Sequence, residues 1–256
     1  MESLAPSPLA VVKVGSTSVS VLVAGRLSHP LFLHAEIRSL IREPEPASAL
    51  GAAMADIAAR VARFQPRSGI VALGEVGRIH PELGAGLARQ GFPVWTLSGV
   101  EEAQASWWGE QAFHPAAITV VDVGGGSTEV AGAGTSQSLP FGAERPPGPG
   151  SPFPPARHLH GRAVAMGGTA RALASLFGNP FHRETLLRHQ DRNPESWPGI
   201  AAVDERRVRL LAGGLRTFLW VMDALQLPEM AVTERDLRWG LWLSAQLGRA
   251  GRWPGA

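Results

Sequence analysis

Val120-Val121-Asp122-Val123-Gly124-Gly125-Gly126-Ser127-Thr128-Glu129-Val130 carries a β-branched apolar run with one acid into three glycines, two hydroxyls and a second acid. The apolar run, preceded by Ile118, reads as a buried strand. The glycines predict a turn that uses positive φ and brings the backbone close to a ligand. Consecutive N–H groups in such a turn form an anion-binding nest, to which Ser127 and Thr128 add hydroxyl donors. Asp122 and Glu129 flank the nest, where carboxylates repel a phosphate unless a divalent cation lies between them. The stretch reads as a phosphate–metal loop. A plain hairpin would need the glycines but not the two acids. No Gly-Lys-Ser/Thr ending marks a Walker A loop, and Glu129 stands where a dinucleotide fingerprint has its third glycine.

The rest of the 256-residue chain is long enough for one large domain or two modest ones. Apolar content is an ordinary 45% and no run reaches the ~18 apolar residues of a membrane helix, so a cytoplasmic protein with no membrane partner is expected. Cysteine is absent, which excludes a disulfide framework and thiolate chemistry. The net charge is only +2, and the pI near 10.2 reflects the lack of tyrosine and cysteine rather than a basic patch. Arginines are scattered, and eight tryptophans are spread over several elements as packing residues, so no nucleic-acid partner is expected. Lys13 is the only lysine.

Leu9 to Ala24 is a second apolar stretch, interrupted by Lys13-Val14-Gly15-Ser16-Thr17-Ser18. Strand, glycine with hydroxyls, strand is the form of a hairpin whose turn could wrap an anion, and its likeness to the run after Asp122 suggests two related halves. Leu50, Met54, Ile57, Val61 and Phe64 recur at helical spacing before Pro66. Ile70 to Leu73 predicts a short buried strand, followed by Arg78, which could face a ligand or solvent. Pro81 to Gln90 predicts a helix and Pro93 to Leu97 a strand. Ser98-Gly99-Val100-Glu101-Glu102-Ala103 then opens a helix, with Ser98 and Glu101 as a capping box. Glu102 sits in that first turn where a strand ends, the usual place for ligands in open α/β sheets, and is a candidate general base.

Pro146 to Pro155 is a proline- and glycine-dense connection, and His158 and His160 beyond it read as a surface loop rather than a metal pair. Ala163 to Met166 leads into Gly167-Gly168-Thr169-Ala170-Arg171 and a helix through Phe177, a third strand–glycine–hydroxyl junction with N–H groups at a helix start. Leu211, Leu215, Phe218, Met222 and Leu225 mark a long helix and Met230 to Val232 a strand. Thr233 with Asp236 is expected to cap the last helix.

On these motifs the sequence resembles the exopolyphosphatase/guanosine-pentaphosphate phosphohydrolase (Ppx/GppA) family of the actin–sugar-kinase–chaperone superfamily. Asp122 to Glu129 is similar to the family's Asp-Ile-Gly-Gly-Gly-Ser-Thr-Glu loop, and Ser98 to Ala103 to its Ser-Gly-x-Glu-Glu-Ala signature, whose second glutamate is the catalytic base. Ser138 to Ala143 resembles Ser-Leu-Pro-Leu-Gly-Ala, Gly167 to Ala170 resembles Gly-Gly-Thr-Ala, and Val232 to Gly240 resembles the closing Val-Ser-x-x-x-Leu-Arg-x-Gly. The chain departs at the first loop, where Lys13 replaces a metal-site aspartate; a protonated lysine would repel Mg²⁺ yet can pair with phosphate. Glu75, Gln104 and Arg209 are further departures, and the Pro146–Pro155 connection implies a trimmed second domain.

The resemblance implies an α/β fold of two ribonuclease-H-like (actin-like ATPase) domains, each with a mixed sheet flanked by helices, closing over a cleft. Residues 1–113 would form the first, with the last helix, about 234–250, packing back onto it, and 114–233 the second. It implies a hydrolase that removes the terminal phosphate of inorganic polyphosphate or guanosine pentaphosphate, with Glu102 activating water. Gly15, Ser16, Thr17, Ser18, Lys13, Arg78, Gly124, Gly125, Gly126, Ser127, Thr128, Gly167, Gly168 and Thr169 would bind the phosphates, with Mg²⁺ on Asp122 and Glu129. A homodimer is a further expectation from the family. The alternative is a catalytically degenerate sensor of polyphosphate or guanosine polyphosphates, because one metal ligand is lost while the glycine loops remain. ATP-dependent phosphotransfer lacks an acceptor motif.

Overall fold

A computed structural model of the chain describes residues 9–25, 30–36, 40, 45–62, 64, 66, 68–154, 159 and 161–247. His158 and His160 lie outside them. By packing, the chain divides into two units, one comprising residues up to Ser98 together with those from Leu241, the other Gly99–Gly240.

In the first unit, strands β1 (Leu9–Val14), β2 (Ser18–Ala24) and β3 (Leu31–Glu36) form an antiparallel meander. Helix α1 (Pro46–Ala62) crosses to β4 (Ser68–Leu73), and α2 (Glu75–Ile79) and α3 (Pro81–Arg89) cross to β5 (Val94–Thr96). The order is β3-β2-β1-β4-β5, with β4 parallel to both β1 and β5. Alternation puts Ala10 and Val14 of β1 on the face covered by Leu50, Ala53, Ile57 and Val61 of α1, spaced three or four apart on one helix side.

The second unit opens with α4 (Gly99–Gln111) and the meander β6 (Ile118–Val123), β7 (Thr128–Gly132) and β8 (Thr135–Leu139). It continues with β9 (Arg162–Met166), α5 (Gly167–Phe177), β10 (Phe181–His182), α6 (Arg183–Leu187), α7 (Glu205–Ala224), β11 (Glu229–Val232) and α8 (Leu237–Gln246), the last shared with the first unit from Leu241. The order β8-β7-β6-β9-β11 repeats that of the first unit, with β10 added at the edge. This duplicated mixed sheet is the ribonuclease-H-like arrangement that the resemblance implies. Val121, Val123 and Val130 face a core with Leu173, Leu211, Leu215 and Phe218 of α5 and α7. Ile118, Val120 and Ala131 face the other way, onto Ala103 of α4.

Several expectations need correction. The division falls between Ser98 and Gly99 rather than at 113, because α4 packs on β6, β7 and β8. It does so through Ala103, with Trp107 beside it, against Ile118, Val120 and Ala131, while Gly109 and Ala105 meet the backbone of Asp236–Gly240 at the start of α8. The last helix is capped by Asp236, whose Oδ1 accepts from Arg238 N at 3.0 Å, while Thr233 Oγ1 accepts from Arg235 N at 3.1 Å one turn earlier. From Leu241 onward α8 belongs to the first unit, where Trp242 Nε1 donates to Ala24 O at 2.8 Å. Strand β3 and helices α2 and α6 were not expected.

Glu110, 2% exposed, ties α4 to the turn before α8. His114 Nε2 lies 2.7 Å from Oε1, and Thr233 Oγ1 donates to Oε2 at 3.0 Å, with Arg235 at 3.6 Å. Glu110→Ala leaves those partners without their acceptor and is expected to cost about 1–3 kcal/mol. Urea unfolding checks this, and a midpoint equal to that of the parent would show that water replaces the carboxylate.

Candidate functional site

The glycine loop between β6 and β7 is closed by Gly124 N donating to Ser127 O at 2.9 Å. None of Gly124, Gly125 and Gly126 takes a positive φ. The loop instead leans on the segment after β8, which occupies the side where its carbonyls point. Ala143 N donates to Gly124 O at 2.8 Å, Glu144 N to Gly125 O at 2.7 Å, and Arg145 Nη2 to Gly126 O at 2.9 Å. A trans peptide points its N–H opposite to its C=O. Fixing three successive carbonyls on one side therefore turns the N–H groups of Gly125, Gly126 and Ser127 to the other. There they have no acceptor among the described residues, which is the geometry of an anion nest.

Glycine is required at 142 by this approach, since a Cβ there would lie 2.5 Å from Gly125 O and 2.8 Å from Gly124 O. Thr128 Oγ1 is not available to a ligand in this arrangement, because it donates to Phe141 O at 2.7 Å. Ser127 stays half-buried at the loop's tip.

Asp122 and Glu129 are opposite one another in the β6–β7 ladder and are 3% and 4% exposed. By alternation both stand on the face that α4 covers. Cross-strand neighbours hold their Cβ atoms about 4.5–5.5 Å apart. Ser138 Oγ donates to Glu129 Oε1 at 2.9 Å and orients it. Gly99 rests directly on Ser138, where an added Cβ would overlap its hydroxyl, so the first turn of α4 is seated beside Glu129. Glu102 is buried in that same turn, at 7% exposure. The structure thus brings Glu102, Asp122, Glu129 and the glycine loop into one unit.

The junction β9–α5 joins them. Gly167, at φ +86°, abuts Asp122 Oδ1, and both its conformation and the lack of space require glycine. Gly168 is covered by the guanidinium of Arg207, and Thr169 is buried. Arg171, one turn on, is held below its ordinary guanidinium value by burial and by Arg238 and Arg207, against the opposing pull of Asp236 and Asp122.

Among the described residues no group of three or more His, Cys, Asp or Glu side chains could hold a metal ion. The pair Asp122 and Glu129 nevertheless suits Mg²⁺, which is commonly bound through one or two carboxylates, with phosphate oxygens and water completing its shell.

The first loop, in the other unit, is built alike. Gly15 N donates to Ser18 O at 2.9 Å, matching Gly124 and Ser127, and Gly15 also lacks a positive φ. Ser16 is buried, and Leu40 N donates to its carbonyl at 2.7 Å; Thr17 and Ser18 are half-buried. In this correspondence Lys13 and Ser20, paired in the β1–β2 ladder, occupy the places of Asp122 and Glu129. Arg78 is exposed on α2 and donates to Leu97 O. Arg209 is exposed on α7 and lies 3.4 Å from Glu205.

Sequence reasoning missed Ser138, which bonds to Glu129, and Arg145, which bonds to Gly126 of the glycine loop. Ser138 lies inside the Ser138–Ala143 motif, whereas nothing in the sequence sets Arg145 apart from a surface arginine.

No protein-family model and no curated protein matches the chain. Solved structures do. A Ppx/GppA family member from Aquifex aeolicus is 18% identical, aligned over 96% of this chain and 99% of its own, with a TM-score of 0.69. An exopolyphosphatase from Cytophaga hutchinsonii is 13% identical over 94% and 98%, with a TM-score of 0.73. An exopolyphosphatase-like protein is 18% identical over 93% and 97%, also at 0.73. Over the aligned 93–96% of its length, the chain has the fold of the Ppx/GppA exopolyphosphatase structures.

Proposed function

We propose that the chain is a phosphoanhydride hydrolase that removes terminal phosphate from inorganic polyphosphate or guanosine pentaphosphate. The observation that carries this reading is the loop of Gly124–Ser127, whose carbonyls are all engaged on one side and whose N–H groups are thereby turned to the other. Such a nest binds a phosphoryl group without needing a side-chain cation. Glu102, buried in the first turn of α4, would take the proton of a water aligned with the phosphorus. Ser138 holds Glu129 in place, and Gly167 admits Asp122 to the strand end. Asp122 and Glu129 would hold Mg²⁺, which when bound offsets charge on the phosphate oxygens.

The test is release of orthophosphate from long-chain polyphosphate and from guanosine pentaphosphate with Mg²⁺. Release from either, abolished by chelation, is expected. No release from either, with binding retained, would instead support the second reading, a sensor of these phosphate chains. One observation favours that reading: the first loop offers Lys13 and Ser20 where the second offers two carboxylates.

A further inference from the structure

The proline- and glycine-dense stretch after Arg145 reads in sequence as a connection, yet its described part, up to Pro154, is a built loop. Ser151 N donates to Gly148 O at 3.1 Å around Pro149 and Gly150, and Gly150 takes φ +76°. Proline at the second position and a positive-φ glycine at the third are what a type II turn demands. The chain reverses there and returns to α7. Trp220 Nε1 donates to Ser151 O at 3.1 Å. The Trp220 ring meets Phe153 edge-on with centroids 4.9 Å apart, and meets Phe141 likewise at 5.2 Å. One indole thus fastens both ends of a loop that runs from Phe141 to Phe153.

The inner arm of that loop is the segment that carries the glycine loop of the candidate phosphate site. Ala143 N, Glu144 N and Arg145 Nη2 donate to the carbonyls of Gly124, Gly125 and Gly126. Three positions on one side of α7 back this arm: Gly213, Thr217 and Trp220, spaced four and three apart. Gly213 lies so close to Ala143 that a Cβ would overlap its carbonyl oxygen, and Thr217 Oγ1 stands 3.2 Å from Gly142 O. Gly213 and Thr217 are buried, whereas Trp220 and Phe153 are half-buried. Pro146, Pro147, Pro149 and Pro152 fix φ along the outer arm and offer no N–H, so the turn and the ring contacts set its course rather than a strand ladder.

We propose that the outer arm is a latch: Phe153 and Trp220 are positioning residues that hold segment 142–145 against the glycine loop and thereby set its affinity for phosphate. This rests on the reading of that loop as a phosphate site. Phe153 and Trp220 act through the carbonyl bonds that turn the N–H groups of Gly125, Gly126 and Ser127 outward. A site that is competent only while the latch is closed binds in proportion to the closed fraction.

The probe is inorganic tripolyphosphate with Mg²⁺, its affinity measured by calorimetry on the full chain. Phe153→Ala opens the latch at its outer end and leaves α7 and residues 142–145 unaltered. It is expected to weaken tripolyphosphate about tenfold, as the closed fraction falls to about a tenth on loss of the aromatic contact. Phe153→Leu, which refills the space beside Trp220, should recover most of that loss. Gly150→Ala strains the turn at φ +76° although a Cβ there meets nothing within 4 Å, and it should also weaken binding. Trp197→Ala is the control for general loosening. Its ring is buried against Phe177 elsewhere in the same core, so it should lower the melting temperature and leave affinity within twofold. In ligand-free ¹⁵N–¹H spectra the amides of Gly125 and Gly126 should shift in Phe153→Ala and stay in place in Trp197→Ala. Should Phe153→Ala not fold, Gly150→Ala decides by the same criterion. Affinity of Phe153→Ala within twofold of the parent, or an equal loss in Trp197→Ala, overturns the latch while leaving the loop reading intact. If the parent chain itself fails to bind tripolyphosphate, both fall together.

Discussion

Glu102→Gln is expected to reduce the turnover number for phosphate release by about 10²–10⁴-fold, the usual worth of a positioned general base. Tripolyphosphate affinity should meanwhile stay within a few fold. The substitution is nearly isosteric and removes the negative charge together with the capacity to accept a proton. It is made in the first turn of a helix whose Gly99 is seated on Ser138. The split between an unchanged affinity and a collapsed turnover is what separates a base from a binding residue. Turnover within tenfold of the parent would remove Glu102 from the mechanism.

Gly142→Ala carries the second large effect. Its new methyl group would lie 2.5 Å from Gly125 O and 2.7 Å from Gly125 C, both backbone atoms of the loop. Backbone on one side cannot yield without the other, since Ala143 N and Glu144 N are bonded to the same loop. Behind them Thr217 Oγ1 of α7 lies 3.2 Å from Gly142 O. The loop must therefore move, losing its three carbonyl bonds and the outward aim of its N–H groups. The expected cost is about 1–3 kcal/mol of stability from overpacking, and at least tenfold in tripolyphosphate affinity. Gly148→Ala, where a Cβ meets nothing within 4 Å, is the matched control and should leave both unchanged. Equal behaviour of the two variants would show that the loop does not depend on its support.

The two glycine loops were legible in sequence because they combine a buried β-branched strand with residues that no strand or helix interior favours. What was not legible followed from non-local packing. Helix α4 has no apolar stripe: its buried face is Glu102, Ala103, Ala105, Ser106, Gly109 and Glu110, so the Ser98–Glu101 capping box places a helix start there but nothing says which sheet it covers. That is why the domain boundary was expected fifteen or so residues too late. The glycines of the second loop suggested positive φ, whereas the structure uses them without it, and the reason for glycine appears in contacts made by residues 142–145. Strand β3 is short and becomes evident through its antiparallel pairing with β2.

The most direct measurement follows the backbone amides of Gly125, Gly126 and Ser127 in ¹⁵N–¹H spectra as tripolyphosphate is added with Mg²⁺. These three amide protons are predicted to move downfield together and to saturate at the ligand concentration that half-saturates binding by calorimetry. Saturable binding that leaves all three unmoved would contradict the assignment of this loop as the phosphate site.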